Sequence, residues 1–403
     1  MRRASRVFAA ALIAVLLLPL ASARAADQCR PAESVTSFGT WFDPTMELNA
    51  QYPELPMLAT NWVHDAHTVR LLLKVSSGLD RHWHLVVRDS EYRVLAVLYP
   101  RDFAAPDGSL SVGRWTGRLP TASVRIDLRA AEQTDVRITV AGALALPPSS
   151  RDERQFSTKR TTPDWHDLYA DPNILARRAG DSVGMLIAAQ FDPDTKQYTS
   201  WCCTGVMVGA DMMLTNWHCG GTTGTAAKNY WDDETCANTV IDLGWDSGLV
   251  SRQYACAHVE ARDQTLDFAL LRVRPVVGAG GGIVQTPFIP MQAGIIPDDI
   301  FLVHHAMCTK KLYSGNCKVG AQSYPNWNDP ALKTDLTYDC DTEPGASGAP
   351  VFGRSGQLIG LHHLGYACAP PDNLNKAVRV SEIIAFLDAH KPAIAAELRA
   401  VSP

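Results

Sequence analysis

The amino-acid sequence predicts an all-β protein: a small sandwich-like region, then a second, cysteine-rich β region closed by a C-terminal helix. Three observations predict it. Apolar residues alternate with polar ones at period two, as at Val124, Ile126 and Leu128 and again at Val136, Ile138 and Val140; that period marks strands with one wet face. Short apolar runs are separated by Gly, Pro, Asn and Asp turn signals, not by helical repeats. Nine of the ten cysteines fall after residue 200, so the second half is the stapled half.

The first element is a leader. Arg2, Arg3 and Arg6 precede an apolar run from Val7 to Leu20, and Ala23-Arg24-Ala25 offers a small-x-small cleavage site. Residues 1–25 are therefore expected to be a signal peptide, and the product to be secreted or periplasmic. The run is short for a membrane span, so no stable membrane insertion is expected. Its removal takes four arginines and no acid from a chain whose formal charge is already −5. An acidic chain without a basic cluster argues against nucleic acid as a partner. The even cysteine count fits disulfides in an exported protein, and the lack of a C-x-x-C pair argues against zinc-ribbon or thioredoxin-type chemistry.

Residues 26–146 read as a β-rich N-terminal domain, either a propeptide or an accessory module. Val69–Val75, His82–Arg88 and Val94–Tyr99 add strands to the alternating pair above, and short strands at regular spacing suggest a small sandwich. His82 and His84 share a strand face, with His64 and His67 upstream. They are read as a surface pair flanking Trp83, and no metal is expected. Residues 147–179, with Pro147-Pro148-Ser149-Ser150 and the dibasic Lys159-Arg160 and Arg177-Arg178, form a linker and processing region. Exposed stretches of this composition are readily cut, so a precursor cleaved between Thr161 and Asp181 is expected; a permanent two-domain protein is the alternative.

The second β region, residues 180–403, contains runs at Gly205–Val208, Phe268–Val273, Ile300–His304 and Gln357–His362. Gly278-Ala279-Gly280-Gly281-Gly282 lacks the lysine of a phosphate loop, so no nucleotide is implied and no cofactor is expected. Ser381–Leu398 has helical apolar spacing, interrupted at Pro392.

Three segments carry chemistry. Ser347 lies in Gly345-Ala346-Ser347-Gly348, where glycines allow a sharp turn and backbone amides can converge on a substrate carbonyl oxygen. A hydroxyl is a poor nucleophile until a base accepts its proton. His218 is that base's candidate; Cys203, 16 residues before Cys219, can bond to it and fix the loop. Asp267 stands just before the apolar run Phe268-Ala269-Leu270-Leu271, placed to hold an imidazole in one tautomer. Asp263 lacks that following run. The order His, Asp, Ser excludes the α/β-hydrolase and subtilisin orders.

Together, Cys203-Thr204-Gly205, Leu214 to Cys219, Asp267 to Leu271, Thr342 to Pro350 and Leu358 to His362 resemble the trypsin/chymotrypsin-like serine proteases, specifically their bacterial glutamyl- and lysyl-endopeptidase branch. The resemblance covers about half the chain. It implies two six-stranded β-barrels, a catalytic triad of His218, Asp267 and Ser347, an oxyanion hole from the amides of Gly345 and Ser347, and protein or peptide substrates. It also departs from the pattern: Ala346 replaces a usual polar residue, and His363-Leu364-Gly365 stands where animal trypsins carry Ser-Trp-Gly. The animal-type Ile-Val-Gly-Gly terminus is missing, which puts activation by that route in doubt.

For specificity, Thr342 and His362 match the pocket pair of glutamyl endopeptidases, but lysyl endopeptidases share both. Asp372, in Pro370-Pro371-Asp372-Asn373, lies one residue from where the lysyl branch puts its pocket carboxylate. A carboxylate there selects a basic residue, so cleavage after Lys or Arg is expected; a glutamyl-specific enzyme or a non-catalytic protease-like binding protein are the alternatives. The expected disulfides are Cys203–Cys219, Cys308–Cys317 around Lys310-Lys311, and Cys340–Cys368 bracing the pocket.

Overall fold

The protein is described by a computed structural model that covers residues 36–59, 66–78, 82–104, 113–130, 135–148, 164–222, 230–246, 252–278, 286–365 and 374–400. The expected signal peptide lies outside these residues, as do Lys159-Arg160, Cys29, Cys368 and Asp372. No helix among the described residues is long and apolar enough to cross a membrane.

The second region folds into two closed six-stranded antiparallel barrels. The first comprises β1 (Val183–Asp192), β2 (Gln197–Met207), β3 (Met212–Thr215), β4 (Val240–Asp242), β5 (Gln253–Asp263) and β6 (Phe268–Pro275). Its sheet runs β2-β1-β4-β5-β6-β3 and closes by pairing β2 with β3. The second comprises β7 (Asp299–His304), β8 (Leu312–Tyr324), β9 (Asp335–Tyr338), β10 (Pro350–Gly353), β11 (Leu358–Leu364) and β12 (Asn375–Arg379). It runs β8-β7-β10-β11-β12-β9 and closes by pairing β8 with β9. The strand order is the same in both, and closure leaves no free sheet edge between first and last strands. The architecture is chymotrypsin-like.

The period-two pattern explains the packing. Leu186, Met207, Met213, Ile241, Leu271 and Val273 fill the first barrel. Ile300, Leu302, Leu336, Tyr338, Val351 and Ile359 fill the second. A third apolar layer joins the barrels, where Val206, Leu214, Phe268 and Leu270 meet Phe301, Val303, Phe352 and Leu361. The C-terminal helices Val380–His390 and Pro392–Ala400 seal that layer with Ile383, Leu387, Ala395 and Leu398. The break falls at Pro392, which opens the second helix, because proline lacks the N–H that a continuing helix requires.

The N-terminal region is a two-sheet sandwich. One sheet joins Thr40–Phe42, Met46–Asn49, Thr68–Ser77, Arg114–Trp115 and Arg137–Leu146; the other joins Glu54–Ala59, Trp83–Arg88, Val94–Leu98 and Ser123–Ala130. Their inner faces share a core of Leu48, Leu71, Leu73, Leu85, Val87, Ile126 and Ile138. The sandwich is docked on the first barrel. Thr36–Ser37 pairs with β2 as an added edge strand, and Phe38, Trp41, Leu72 and Trp115 pack against Met185, Ile187, Val240 and Trp245. Arg70 is wholly buried and pairs with Asp242 of β4 at 2.7 Å.

Structure begins again before the expected boundary at residue 180. Trp165–Asp167 pairs with β8, and Arg177 and Arg178 lie in the helix Ile174–Gly180, where Arg177 Nε donates to the Asp171 carbonyl.

The disulfides correct two expectations. Cys203–Cys219 is present, but Cys308 pairs with Cys202 and Cys317 with Cys340; Cys236–Cys256 completes the described set. Cys317 sits within β8 and faces the chain leaving β9, its neighbour in the closed barrel. Cys308 lies on a turn directed back at β2 of the other barrel. Nearness in sequence did not decide the pairing; barrel closure set Cys317–Cys340, and the contact between barrels set Cys202–Cys308.

Candidate active site

The histidine is fixed by its neighbours. The chain leaves β3 at Thr215 and turns through Asn216 and Trp217 into a short 3₁₀ turn, His218–Gly220. Cys203–Cys219 ties that turn to β2, and Asn216 Nδ2 donates to the Asp267 carbonyl at 2.8 Å. Asp267 precedes β6 with a left-handed backbone, φ 52°, a conformation that aspartate tolerates better than most residues. Its Oδ1 accepts the His218 backbone N–H at 2.9 Å and its Oδ2 meets His218 Nδ1 at 2.7 Å. One carboxylate thus sets both the position of the loop and the tautomer of the ring.

Asp267 is almost fully buried. Burial alone would raise its pKa, but the charge and hydrogen bonds of His218 and His363 outweigh that effect and hold the carboxyl well below the usual range. His218 keeps Nδ1 on the carboxylate, and its buried Nε2 has no hydrogen-bond partner among the described residues. The Ser347 hydroxyl is therefore not bonded to it in the resting enzyme. Such contacts are often long until substrate arrives.

The serine loop comes from the other barrel. Pro344 O accepts the Met307 N–H at 2.7 Å, Gly345 O accepts the Thr204 hydroxyl at 2.8 Å, and Ser347 O accepts the Thr204 N–H at 2.8 Å. Ser347 O also lies 3.8 Å from Cys219 Sγ, next to His218. These contacts clamp the loop by its carbonyls. In a trans peptide the N–H opposes the preceding C=O, so the Gly345 N–H points away from the Met307 contact. Two glycines make the clamp possible. Gly345 has φ +98° and a Cβ there would meet His305 O at 2.7 Å; Gly348 has φ +83° and a Cβ would meet Thr204 O at 2.1 Å. Ala346 is fully buried and contributes its backbone N–H to Glu343 O, so its apolar side chain leaves the loop's hydrogen bonds intact.

Thr342 follows β9 and His362 lies on β11, each held by a residue of a neighbouring strand or of the chain beside it. Asn375 Nδ2 donates to Thr342 Oγ1 and to the Cys340 carbonyl, each at 2.8 Å. His362 Nδ1 lies 2.5 Å from the Tyr338 hydroxyl, and burial raises the Tyr338 pKa well above the ordinary tyrosine value. Asp372 lies outside the described residues, on the segment between Gly365 and Asn375 whose two ends both stand beside Thr342.

Sequence reasoning missed Asn375, His363 and Asp335. His363 Nδ1 is 3.5 Å from Asp267 Oδ2 and its Nε2 is 3.1 Å from Asp335 Oδ2. The departure from Ser-Trp-Gly was the signal available; the partner Asp335, on another strand, carried none. Around His82 and His84 no metal-ligand group forms among the described residues. The grouping that does, Cys203, His218 and Cys219, contains two sulfurs bonded to each other and so unable to act as thiolate ligands.

Residues 203–361 match the trypsin-like peptidase domain family. With the chymotrypsin-like fold, that match makes the two-barrel region a trypsin-like peptidase domain; the protein is a serine peptidase, and peptides or proteins are the substrates such a domain takes. No curated protein matches the chain. Among solved structures it is similar to the Rv3671c protease from M. tuberculosis in its active form, at 18% identity and TM-score 0.40 over 59% of this chain and 92% of that one. It is also similar to the HtrA-type protease AlgW with a tripeptide, at 14% identity and TM-score 0.39 over 54% of this chain and 63% of that one. Neither overlap is close enough to bear on the chemistry.

Proposed function

We propose that the protein is a secreted endopeptidase that hydrolyses peptide bonds through an acyl-enzyme, with Ser347 as nucleophile, His218 as general base and Asp267 as its orienting acid. The observation that carries this reading is the doubly bonded Asp267–His218 unit, with an open Nε2, placed beside the carbonyl-clamped Ser347 loop. Ser347 Oγ gives its proton to Nε2 as it attacks the substrate carbonyl; the same proton then passes to the leaving amine, and water repeats the sequence on the ester. The amides of Gly345 and Ser347 receive the oxyanion, since the loop's carbonyls are engaged on the opposite side. A serine-directed fluorophosphonate tests the reading. Labelling that survives Ser347→Ala would overturn it, as would no labelling of the wild type.

For specificity we favour cleavage after Lys or Arg, with Asp372 as the pocket carboxylate and Thr342 and His362 as pocket walls. Support comes from Gly365 and Asn375, which precede and follow Asp372 in the sequence and both stand beside Thr342. The Thr342–His362 pair favours a second reading, binding of a substrate carboxylate. A peptide-library digest read by mass spectrometry separates the two: Asp372→Asn abolishes a basic preference and leaves an acidic one intact. The expected leader makes the enzyme exported, and a cut near Lys159-Arg160 is its proposed maturation step. N-terminal sequencing of active enzyme checks both.

A further inference from the structure

We infer that His363 is a positioning residue, held as a cation between Asp267 and Asp335, that keeps the carboxylate of Asp267 ionised and aimed at His218. This inference rests on the triad reading above and extends it from three residues to a linear relay, His218–Asp267–His363–Asp335.

Geometry carries it. His363 lies on β11 and is 3% exposed, with one ring nitrogen on each of two carboxylates, at 3.5 Å to Asp267 and 3.1 Å to Asp335. A neutral imidazole has one N–H and can donate to only one of them; a ring facing two carboxylates donates to both only when protonated. Asp335 is tightly held. It is fully buried, and its Oδ1 receives the Thr334 hydroxyl at 3.1 Å and Asn326 Nδ2 at 3.3 Å while Oδ2 faces His363.

Other charged groups on the packed strands are turned elsewhere. His362, next in the chain, points to the opposite face and the Tyr338 hydroxyl. On β12, Lys376 Nζ lies over the Tyr324 and Trp327 rings, and Arg379 bonds the carbonyls of Lys333 and Thr334 and the carboxylate of Glu382. The immediate field at His363 is set by two anions. Burial would lower its pKa, but Asp267 and Asp335 outweigh burial and push it up to about 9.

The relay has a consequence for catalysis. In the resting state it sums to one negative charge: neutral His218, two carboxylates and one imidazolium. When His218 takes the serine proton the sum falls to zero, so the relay favours the imidazolium that forms in the transition state. Were His363 neutral, one carboxylate would lose its hydrogen bond and Asp267 would be free to pivot away from Nδ1.

The sign of the pH dependence follows. The folded-state pKa is raised above the ordinary histidine value near 6.5, so the cation is fully present below that value and is lost as pH rises through about 9. The expected kcat/KM profile has an alkaline limb near 9. His363→Gln, which hydrogen-bonds but does not titrate, should lower kcat roughly 10- to 100-fold at pH 7.5 with little change in KM, and remove that limb. Asp335→Asn should keep the limb and move it toward neutral pH. In the wild type, ¹⁵N-histidine NMR at pH 7.5 should show one doubly protonated ring whose signal is absent in His363→Gln. A neutral His363 in that spectrum, or a limb unmoved by Asp335→Asn, overturns the inference. Fluorophosphonate labelling of each variant, with its thermal unfolding, separates the causes: a labelled, folded Asp335→Asn with an unmoved limb sinks the relay alone, whereas no Ser347-dependent labelling of the wild type sinks the triad reading beneath it.

Discussion

The N-terminal sandwich and the two barrels are both antiparallel β structures of similar strand length, yet they are held in different ways. The barrels close on themselves and carry all four described disulfides, one of which, Cys202–Cys308, ties barrel to barrel behind Gly345. The sandwich has none among the described residues. It relies on its own apolar core and on a face buried against the first barrel, with Arg70–Asp242 at the centre of that contact. The polar residues of the barrels' cleft form the candidate site, whereas the buried Arg70–Asp242 pair under the sandwich joins it to the first barrel.

Ser347→Ala gives the largest effect that sharpens this contrast. Loss of a triad nucleophile lowers kcat by on the order of a million-fold, because only binding and oxyanion stabilisation remain. Thermal unfolding should be unchanged, since the loop is held by carbonyls of Gly345 and Ser347 and not by the hydroxyl. A peptidase assay with a calorimetric scan checks both; a folded variant with wild-type turnover would dissolve the distinction.

Much of the cleft was legible in the sequence, and the reason is local. Ser347 between two glycines, His218 before a cysteine and Asp267 before an apolar run each advertise themselves within a few residues. Strands such as Trp83–Arg88, Val94–Leu98 and Ser123–Ala130 are also local, because alternation is a property of one segment. What was not legible depends on distant partners. His363 and Asp335 lie 28 residues apart on strands that share the neighbour β12. Arg70 and Asp242 lie 172 residues apart, and an arginine within Val69–Val75 reads as a wet-face residue until the docking surface is known. Cys308 and Cys317 failed for the same reason: a short loop suggested a hairpin clasp, but the contact between barrels sets Cys308 beside Cys202, and closure of the second barrel sets Cys317 beside Cys340.

Arg70→Met tests the docking side of the comparison. It leaves Asp242 buried, with Arg118 at 3.7 Å as a poorer partner. Removing one member of a buried pair typically costs about 3–5 kcal/mol, more than the intact pair contributes. The expected result is a lower unfolding temperature with unchanged kcat/KM for the folded fraction. A drop in kcat/KM at full folding would mean that the sandwich reaches the cleft.

The barrel staple comes next in size. Cys202→Ala with Cys308→Ala opens a connection spanning 106 residues, and loss of such a bridge typically costs about 2–4 kcal/mol. Because Cys202 Sγ is within 3.2 Å of where a Gly345 Cβ would sit, this loss should also lower kcat several-fold, whereas Arg70→Met should not. Equal kcat in the two variants would erase the difference between staple and dock.

The smallest expected effect is the most discriminating: a cut within residues 149–163 should change almost nothing. The sandwich is bound by more than the covalent link. Thr36–Ser37 hydrogen-bonds β2, Trp115 Nε1 donates to the Ala237 carbonyl at 2.8 Å, the Arg118 N–H donates to Gln253 Oε1 at 2.8 Å, and the Gly117 and Val277 backbones exchange contacts around Trp115. Trp41 packs on Tyr198 at 4.8 Å between ring centroids. Separating the two would expose this apolar face and strand the Arg70 and Asp242 charges, each a large cost. A chain nicked at an engineered site in that segment should therefore co-elute as one species on size exclusion, keep its kcat/KM, and part only in denaturant. Maturation by cleavage then removes a covalent link and not a domain. Release of the N-terminal fragment from an active, folded peptidase under native conditions would show the opposite, that the sandwich is a discarded propeptide.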